Sequence, residues 1–351
     1  MKVLVTGGNG FLSGHLVHEL LRCGYTVRAM MRPGAKAPAL AGLDIELIYG
    51  NITGKSDVQA AVRGCDVVIH AAADTSQSHR QLKDYYPVNV EATEQIINAA
   101  SAEGCRRMIF VSTANTMGFG TILKPGNENT PVSSLFLKSG YAKSKILAQE
   151  AVMEAVKNKK IDAVIVNPTF MVGPMDYNPH SGRIFRMLLK KKITFYPPGG
   201  KNFVDVRDAA RGIVNAISKG KSGECYLISG ENLSFHDFFL KVKSLSGQTT
   251  MLIPVPSPVL KLLGSIGSVL SVLGINSELN FTNAHILCIG NYFDNSKAVE
   301  HLCLPCSGVD KTISDSLEWI RTSVFPLTGP SRNAPTGPGS RGWSSCKPLG
   351  R

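Results

Sequence analysis

The chain is poor in charged and aromatic residues, and it has no apolar run long enough to cross a membrane. Of its 351 residues, 18% are charged and 7% are aromatic, whereas 43% are hydrophobic. These proportions are ordinary for a folded globular protein and exclude a chain that is disordered throughout. The most apolar stretch, residues 258–275, is interrupted by Lys261 and is shorter than the roughly 20 residues that span a bilayer. We therefore expect no integral membrane segment.

A leader pattern and grouped cysteines are also missing. Lys2 leads directly into the run VLVT, with no apolar region of signal-peptide length before it. The eight cysteines are scattered, as is typical of reduced thiols. Cys303-x-x-Cys306 has no second pair or histidine cluster that would complete a zinc site. We expect a cytoplasmic protein without a bound metal.

Acidic residues are fewer than basic ones, which gives a net charge of +12. Part of the excess lies in the acid-free tail, and part in short runs such as residues 157–160 and 190–192. Such runs are typical of solvated helix ends. Because no aromatic residues alternate with them, nucleic-acid binding is not expected.

Short apolar runs alternate with helical patterns over the first half of the chain. The runs, interpreted as strands buried on both faces, are KVLVT, TVRAMM, IELIY, VVIHAA, RMIFVST and IDAVIVN. Strands separated by crossover helices predict an α/β fold with a doubly wound, parallel Rossmann sheet. After Asn167 this alternation ends, and helical patterns dominate, with one further strand in ECYLIS.

These patterns divide the chain into three parts. We predict a dinucleotide-binding Rossmann domain over residues 1–166, to which residues 203–230 return. A smaller, mostly helical substrate-binding lobe is predicted over residues 167–323, with a ligand cleft between the two. Residues 324–351 are rich in proline, glycine and serine, and we predict a disordered tail there.

One predicted helix of the lobe, within residues 258–275, has apolar residues at helical spacing. We predict that this apolar side packs on the core or lines an apolar pocket, while polar and small residues take the opposite side. Peripheral contact with a membrane is the alternative. The apolar side comprises Val259, Leu262, Leu263, Ile266, Leu270 and Leu273, and the opposite side comprises Lys261, Gly264, Ser265 and Ser268.

The stretch VTGGNGFLSGHL, residues 5–16, follows the first strand and opens a helix. Its glycines at positions 7, 8 and 10 allow a tight turn and the close approach of a pyrophosphate to the helix N-terminus. In the pattern G-x-G-x-x-G counted from Gly8, the third glycine falls on Ser13, and Gly14 comes one place late. Ser13 adds only a hydroxymethyl group, so we expect cofactor binding to be retained.

The second strand ends without the acidic residue that would bind the adenine ribose of NAD. Met30 and Met31 offer no hydrogen-bonding group, whereas Arg32 offers a guanidinium that suits a 2′-phosphate. The sequence therefore favours NADP(H), with NAD(H) as the alternative.

Tyr141 and Lys145 in YAKSK are spaced i, i+4 and share one face of a helix. Tyrosine ionises near pH 10, so we expect the neighbouring ammonium to lower its pKa for acid–base chemistry. Upstream, Ser112 and Thr113 end a strand at the sheet edge that faces the cleft. A hydroxyl there would hold a substrate oxygen beside Tyr141.

With these motifs in order, the chain resembles the extended short-chain dehydrogenase/reductases over about residues 1–322. The family turn T-G-x-x-G-x-x-G is similar to the stretch from Thr6 and departs at Ser13. The resemblance implies that Thr113, rather than Ser112, is the catalytic hydroxyl beside Tyr141 and Lys145. The implied cofactor-binding residues are Gly7, Gly8, Asn9, Gly10, Phe11, Leu12, Arg32, Asn51, Ile52, Ala71, Ala72, Ala73, Asn89, Tyr141, Lys145, Pro168 and Thr169.

Within that family, VRAMMRPG, HAAADTS and NFVDVRDAARG resemble the dihydroflavonol 4-reductase-like and 3β-hydroxysteroid dehydrogenase-like branch. This implies an NAD(P)H-dependent oxidoreductase that reduces a carbonyl of a small, rather apolar substrate, or runs the reverse reaction. A homodimer is one option that the family implies. One alternative is a nucleotide-sugar 4-epimerase or dehydratase with tightly bound NAD, although Lys201 and Asn202 stand where Arg-Asp is expected. Another is a non-catalytic NADP-binding regulator.

Overall fold

The computed structural model describes residues 1–76, 79, 81–177, 182–189, 191–272 and 279–324. Its strands are β1 (Lys2–Thr6), β2 (Thr26–Met31), β3 (Glu46–Tyr49), β4 (Val67–His70), β5 (Arg107–Val111), β6 (Ala163–Pro168), β7 (Phe170–Val172), β8 (Ile193–Tyr196), β9 (Gly200–Asp205), β10 (Cys225–Ile228), β11 (Glu231–Ser234), β12 (Met251–Pro254) and β13 (Gly290–Asn291). The tail predicted to be disordered lies, from residue 325 onward, outside the described residues.

The strands are joined and covered by helices. These are α1 (Phe11–Arg22), α2 (Lys55–Val62), α3 (Leu82–Tyr86), α4 (Ala92–Ala102), α5 (Gly140–Lys157), α6 (Arg183–Leu189), α7 (Val206–Lys219), α8 (Phe235–Ser246), α9 (Ser257–Val272), α10 (Phe281–Leu287), α11 (Ser296–Leu302) and α12 (Val309–Trp319). The helices predicted from the sequence patterns after Gly10 and around Tyr141 form as α1 and α5.

Seven strands form one parallel sheet in the order β10-β6-β5-β4-β1-β2-β3. The predicted Rossmann-type sheet is therefore confirmed. The direction of strand addition reverses between β1 and β4, and open α/β sheets bind ligands at the carboxyl ends of such strands. After the chain has left the sheet through β7, β8 and β9, it returns through α7 to add β10 beside β6.

Both faces of the sheet are buried under helices. On one face α1 and α7 cover alternate residues of β1, such as Val3 and Val5. On the other face α2, α4 and α5 cover Leu4 and Phe110. This double burial explains why the strands read as continuous apolar runs.

The prediction that IELIY is buried on both faces is wrong. It forms β3 at the edge of the sheet, where Leu47 is 42% exposed and Tyr49 is 55% exposed. Glu46 pairs with Lys2 at 2.6 Å and with Arg28 at 2.8 Å, so charges flank this edge. Charged side chains are a common protection for an edge strand.

The lobe after Asn167 is mostly helical, as predicted, but it also contains strands that the sequence did not reveal. β7, β9, β11 and β13 form a small sheet, and β8 pairs with β12. Each of these strands has only two to six residues, too few for a clear alternation of apolar and polar positions. Phe203 of β9 stacks on Phe238 of α8 at 4.0 Å between ring centroids and anchors the lobe core.

The predicted orientation of α9 is wrong. Leu260, Gly264 and Gly267 are buried, whereas the apolar side predicted to face the core is exposed. The exposed residues are Val259, Leu262, Leu263, Ile266 and Leu270, joined by Val269. Leu273 lies outside the described residues.

Candidate active site

A cleft with a volume of about 1960 Å³ runs along the carboxyl ends of the sheet strands and under the lobe. It is where the strand order predicts a ligand. Sixteen of the predicted site residues line it: Gly7, Asn9, Gly10, Phe11, Leu12, Arg32, Asn51, Ile52, Ala71, Ala72, Ala73, Thr113, Tyr141, Lys145, Pro168 and Thr169. Gly8 and Asn89 are not among the lining residues.

The loop between β1 and α1 needs its glycines. Gly7 has a φ of +71°, and a Cβ there would lie 2.9 Å from the Cα of Ala72. Gly10 donates its backbone N–H to the carbonyl of Gly7 at 2.8 Å and forms the N-cap of α1. No side chain caps this helix, and its first turn has no acidic residue. A bare helix N-terminus in a glycine turn fits an anionic pyrophosphate.

The serine and glycine that follow have separate roles. Ser13 is 2% exposed and lies against the turn at Gly10. Gly14 faces a different element, since a Cβ at this position would lie 2.9 Å from the Cβ of Ala39. The glycine that comes one place late thus permits close packing of α1 against the segment after β2.

Two polar residues, Arg32 and Asn51, line the end of the cleft beside β2 and β3. Arg32 is exposed on the loop after β2, while Met30 and Met31 before it are buried. Asn51 uses its side-chain oxygen to accept the backbone N–H of Thr53 at 3.1 Å. The Asn51 amide, one of the predicted cofactor-binding groups, thereby shapes its own turn, and Arg32 supplies a positive charge at this end of the cleft.

A buried hydrogen-bond chain behind the cleft was not predicted. The backbone N–H groups of Ala71 and Ala72 donate to the Thr6 hydroxyl oxygen at 3.2 Å and 3.0 Å. That hydroxyl contacts Nδ1 of His70 at 2.8 Å, and Nε2 of His70 contacts the Thr93 hydroxyl at 3.1 Å. Thr93 in turn donates to the carbonyl of Asn89 at 2.8 Å. The chain is satisfied when His70 is neutral with its proton on Nε2, and it fixes the backbone at the cleft floor.

His70 and His15 make the fold sensitive to mild acid. Burial lowers the pKa of His70 to about 3 and that of His15, which bonds the Pro174 carbonyl at 3.0 Å, to about 4. The unfolded chain binds these protons first, so unfolding free energy falls as pH drops below about 6.5, by about 1.4 kcal/mol per pH unit for each histidine. We expect denaturant titrations between pH 8 and 5 to show this slope.

The His15→Gln variant isolates one of the two contributions, because glutamine retains an N–H for the Pro174 carbonyl. It is expected to show about half the slope of the parent chain between pH 6.5 and 5. Equal slopes for variant and parent would contradict the assignment of His15.

Asn89 connects the cleft wall to α5 rather than lining the cleft. Its side chain accepts the backbone N–H of Asp74 at 2.7 Å and donates to the Asp74 carbonyl at 3.0 Å. It also donates to the Ser144 hydroxyl at 2.9 Å, and Ser144 donates to the Tyr141 carbonyl at 2.7 Å. Asn89 therefore holds the loop after β4 against the helix that carries Tyr141.

Tyr141, Thr113 and Lys145 converge at the centre of the cleft. Burial raises the pKa of Tyr141 to about 12, opposed by hydrogen bonding to Thr113. Lys145 is buried, its Nζ donates to the Val111 carbonyl at 2.8 Å, and it lies 4.3 Å from the ring centroid of Phe110. Burial lowers the pKa of Lys145 to about 7. The expectation that Lys145 lowers the pKa of Tyr141 is wrong for this structure, because burial dominates both groups.

The two hydroxyls at the end of β5 differ in their contacts because of Gln149, one turn beyond Lys145. Ser112 donates to the Gln149 side-chain oxygen at 2.9 Å, and so do Thr116 at 3.1 Å and Asn167 at 3.0 Å. Ser112 is thereby committed to holding α5 against the sheet. Thr113 faces Tyr141. The role of Gln149 could have been suspected from its position at i+8 from Tyr141, on the same face of the helix.

A second cavity of about 560 Å³ opens beside Tyr141 on the side of the lobe. Thr113, Tyr141, Phe170 and Lys201 line both this cavity and the cleft. Its walls combine polar side chains, such as Asn115, Thr282 and Asn291, with aromatic and apolar ones from β7, α10 and the connecting segments: Phe136, Phe170, Phe281, Ile286 and Phe293. Nζ of Lys201 lies 4.9 Å from the ring centroid of Phe170, and burial lowers its pKa.

Within the residues that the structure describes, no cluster of histidine, cysteine or acidic side chains could hold a metal ion. Over the same residues, no helix has the length and apolar character needed to cross a bilayer. The seven described cysteines are free thiols, and Cys303 and Cys306 are exposed.

Two curated relatives match nearly the whole chain. One, from Synechocystis, carries the provisional name dihydroflavonol 4-reductase and is 29% identical, with coverage of 92% of this chain and 96% of its own. Sterol demethylase protein B of Methylococcus capsulatus is 27% identical, and the match covers 92% of this chain and 98% of that protein. Among solved structures, gox2253 has a TM-score of 0.80 at 26% identity and covers 93% of this chain and 99% of its own.

The model of the NAD dependent epimerase/dehydratase family matches residues 3–229. That range contains the glycine turn, the Thr113, Tyr141 and Lys145 group, and all seven strands of the main sheet. A turn without bulk and a bare helix N-terminus fit the dinucleotide that this family uses. The chain therefore belongs to the NAD-dependent epimerase/dehydratase family and is a nicotinamide-dependent oxidoreductase.

Proposed function

We propose that the protein reduces a carbonyl group of a small, rather apolar substrate to an alcohol with NADP(H), or runs the reverse reaction. The observation that carries this proposal is the meeting of Thr113, Tyr141 and Lys145 where the dinucleotide cleft joins an aromatic-lined cavity. The bound nicotinamide would supply the hydride in the direction of reduction.

The side chains suit the proton that the reaction requires. With its pKa raised to about 12 by burial, Tyr141 holds its proton at neutral pH and can donate it to the substrate oxygen as hydride arrives at the carbon. Thr113 would donate a hydrogen bond to the same oxygen and stabilise the developing negative charge. Lys145, which has a pKa of about 7, can release a proton toward Tyr141 after each turnover. We propose that the backbone from Gly7 to Leu12, Asn51, Ile52, residues 71–73, Pro168 and Thr169 hold the dinucleotide.

The preference for NADP(H) is proposed on Arg32. It lines the adenosine end of the cleft, where β2 ends in two buried methionines and no acidic residue. A guanidinium can bind a 2′-phosphate with two parallel hydrogen bonds, and such charge-assisted bonds contribute roughly 1.5–3 kcal/mol each. NAD lacks that phosphate.

Arg32→Ala is expected to raise the Kd for NADPH by about tenfold or more and to leave the Kd for NADH within about twofold. Titration of the protein into each nicotinamide, followed by fluorescence, measures both. Lys36→Ala, which removes a charge from the same loop but not from the cleft lining, is the control. A parallel loss of both cofactors in Arg32→Ala would argue against a phosphate contact.

A substrate with an apolar ring and a few oxygen atoms is supported by the second cavity, which sets five aromatic and apolar residues among polar ones such as Asn115, Thr282 and Asn291. The name of the Methylococcus relative refers to a sterol, a ring system that would suit such walls. We propose an alicyclic or aromatic ketone, or the corresponding alcohol. A panel of such compounds with NADPH tests this class by following absorbance of the reduced nicotinamide.

Lys201 favours the second candidate, a nucleotide-sugar 4-epimerase or dehydratase with tightly bound NAD. It brings a cation to the junction of the two cavities, although without the forked geometry with which arginine binds a diphosphate. Thermal-shift screening with UDP- and GDP-sugars separates the two functions. Stabilisation by such a sugar, together with NAD that remains bound through purification, would replace our first proposal.

Three further proposals accompany this function. The intact group of Thr113, Tyr141 and Lys145 argues against a non-catalytic NADP-binding regulator. Seven free thiols fit a reducing compartment such as the cytoplasm. Pairing into a homodimer is proposed on the family resemblance, and sedimentation of the purified chain tests it.

A further inference from the structure

The outward side of α9 is apolar, which is unusual for a helix on a protein surface. Leu262 is 62% exposed and Val269 is 61% exposed. Val259, Leu263, Ile266 and Leu270 are each between 36% and 47% exposed. These positions fall on one side of the helix at 100° per residue. Isolated exposed leucines are ordinary, but a contiguous apolar face marks an interaction surface.

The side of α9 that carries small residues explains why the apolar side faces outward. A Cβ at Gly264 would lie 2.3 Å from the Cβ of Ala284 and 2.9 Å from the carbonyl oxygen of Asn280. α9 and α10 therefore approach so closely that only glycine fits at their contact. The Ser268 hydroxyl caps this pairing by accepting the backbone N–H of Phe281 at 2.8 Å. Rotation of α9 about its axis would bring leucine side chains into that contact, so its orientation is fixed.

Apolar residues also face outward on the strand that leads into α9. Met251 of β12 is paired in register with Ile193 of the parallel strand β8. Met251 is 59% exposed and Ile193 is 47% exposed. Phe195, two residues after Ile193 on the same face of the strand, is 57% exposed. The exposed apolar side chains of α9, β8 and β12 are named the apolar surface below.

Within the segments that form the apolar surface, the charges are all positive. Lys261 lies on one flank of α9, and Lys191 and Lys192 precede β8, all three exposed. No acidic residue occurs in residues 183–198 or 247–272. Lysines beside an apolar helical face can extend their stems over apolar groups and place their ammonium groups at anionic headgroups. A protein partner or a second copy of this chain would not call for lysines, without acidic residues, in both segments of the surface.

We propose that the apolar surface docks on a lipid bilayer that carries anionic headgroups. The helix would lie in the interfacial plane with Leu262, Ile266 and Val269 among the acyl chains, since no described helix spans a membrane. Ser268 and Phe281, at the inner side of the α9–α10 pair, line the cavity beside Tyr141. Docking would therefore set the substrate cavity next to the bilayer, which suits an apolar substrate. The docking itself does not depend on the proposed function.

Flotation of the purified full chain with lipid vesicles tests the proposal. We expect it to float with vesicles of phosphatidylcholine and phosphatidylserine, and to float less when the anionic lipid is omitted or salt is raised. The double variant Leu262→Ser/Val269→Ser is expected to bind at least about tenfold more weakly, and Lys261→Glu several-fold more weakly. Leu123→Ser, at a leucine that is 93% exposed in the turn after β5, is the matched control.

Circular dichroism and NADPH binding establish that each variant is folded. Three results would overturn the proposal. The first is an absence of flotation with either vesicle, and the second is equal flotation of the double variant and the parent chain. The third is that the parent chain forms a dimer and does not bind vesicles, whereas the double variant is a monomer. That result would show that a second copy of the chain covers α9.

Discussion

Replacing Tyr141 by phenylalanine is expected to reduce turnover by about 10³-fold and to leave NADPH binding within about twofold. Of Thr113, Tyr141 and Lys145, only Tyr141 keeps its proton at neutral pH and is still acidic enough to donate it to the substrate oxygen. The variant loses one oxygen atom and keeps the ring that packs on Tyr85 at 5.9 Å between centroids. Steady-state kinetics and a fluorescence titration with NADPH measure the two quantities on the same preparation.

Tyr85→Phe is the matched control for this substitution. Its hydroxyl donates to backbone carbonyls, at 2.6 Å for Ser76, and not toward Thr113. We expect Tyr85→Phe to lose less than about tenfold in turnover and about 1 kcal/mol in unfolding free energy, the ordinary cost of one hydrogen bond. If Tyr141→Phe retained a tenth or more of the parent activity, the proposed acid would be another group.

Replacing Lys145 by methionine is expected to lower kcat/KM by at least about 10²-fold and yet to stabilise the protein at pH 7. Burial holds the pKa of Lys145 near 7, well below its usual range, so the unfolded chain binds a proton that the folded chain resists between pH 7 and about 10. The parent chain therefore gains stability as pH rises through this window. Methionine fills a similar volume without charge, although it leaves the Val111 carbonyl without its donor.

The net gain for Lys145→Met at pH 7 is expected to be about 1 kcal/mol in unfolding free energy, after the unpaired carbonyl is taken into account. Because the parent gains about 1.4 kcal/mol per pH unit between pH 7 and about 10, the difference should disappear within about one pH unit above pH 7, and the parent should be the more stable chain at pH 10. Lys143→Met, on the exposed side of the same helix, should change neither turnover nor this pH dependence. A stability difference that stays constant from pH 7 to pH 10 would show that the ionisation of Lys145 is not its cause.

Much of the fold and the composition of the site could be predicted because each rests on a local signal. Strands buried on both faces leave continuous apolar runs, and a glycine turn after β1 marks the dinucleotide end of the cleft. Tyr141 and Lys145 share a face of α5 by spacing alone. The hydrogen bonds of His70 and Asn89 could not be predicted in this way, since they join residues far apart in the chain. The spacing of Gln149 indicates its helix face but not its partners Ser112 and Asn167.

Other features depended on what packs against an element, which a single segment does not record. IELIY has the composition of a central strand, but nothing follows it in the sheet, so it forms an exposed edge. The face of α9 was assigned by hydrophobicity, whereas its contact with α10 is decided by how closely Gly264 allows Ala284 to approach. The direction of the Tyr141 pKa shift was missed for a related reason. The spacing shows that Lys145 is near, but not that the surrounding protein removes both groups from most of the water.

The late return of the chain to the sheet has a consequence for synthesis. Leu16, Val17 and Leu20 of α1 are fully buried, in a cluster that includes Ala209 and Ile213 of α7. Both α7 and β10, which pairs with β6, leave the ribosome long after α1. A nascent chain that ends at residue 166 would therefore expose an apolar helix face and an unpaired central strand, both of which favour aggregation. We therefore expect residues 1–166 not to fold on their own, and fragments for expression or complementation should extend beyond Ile228.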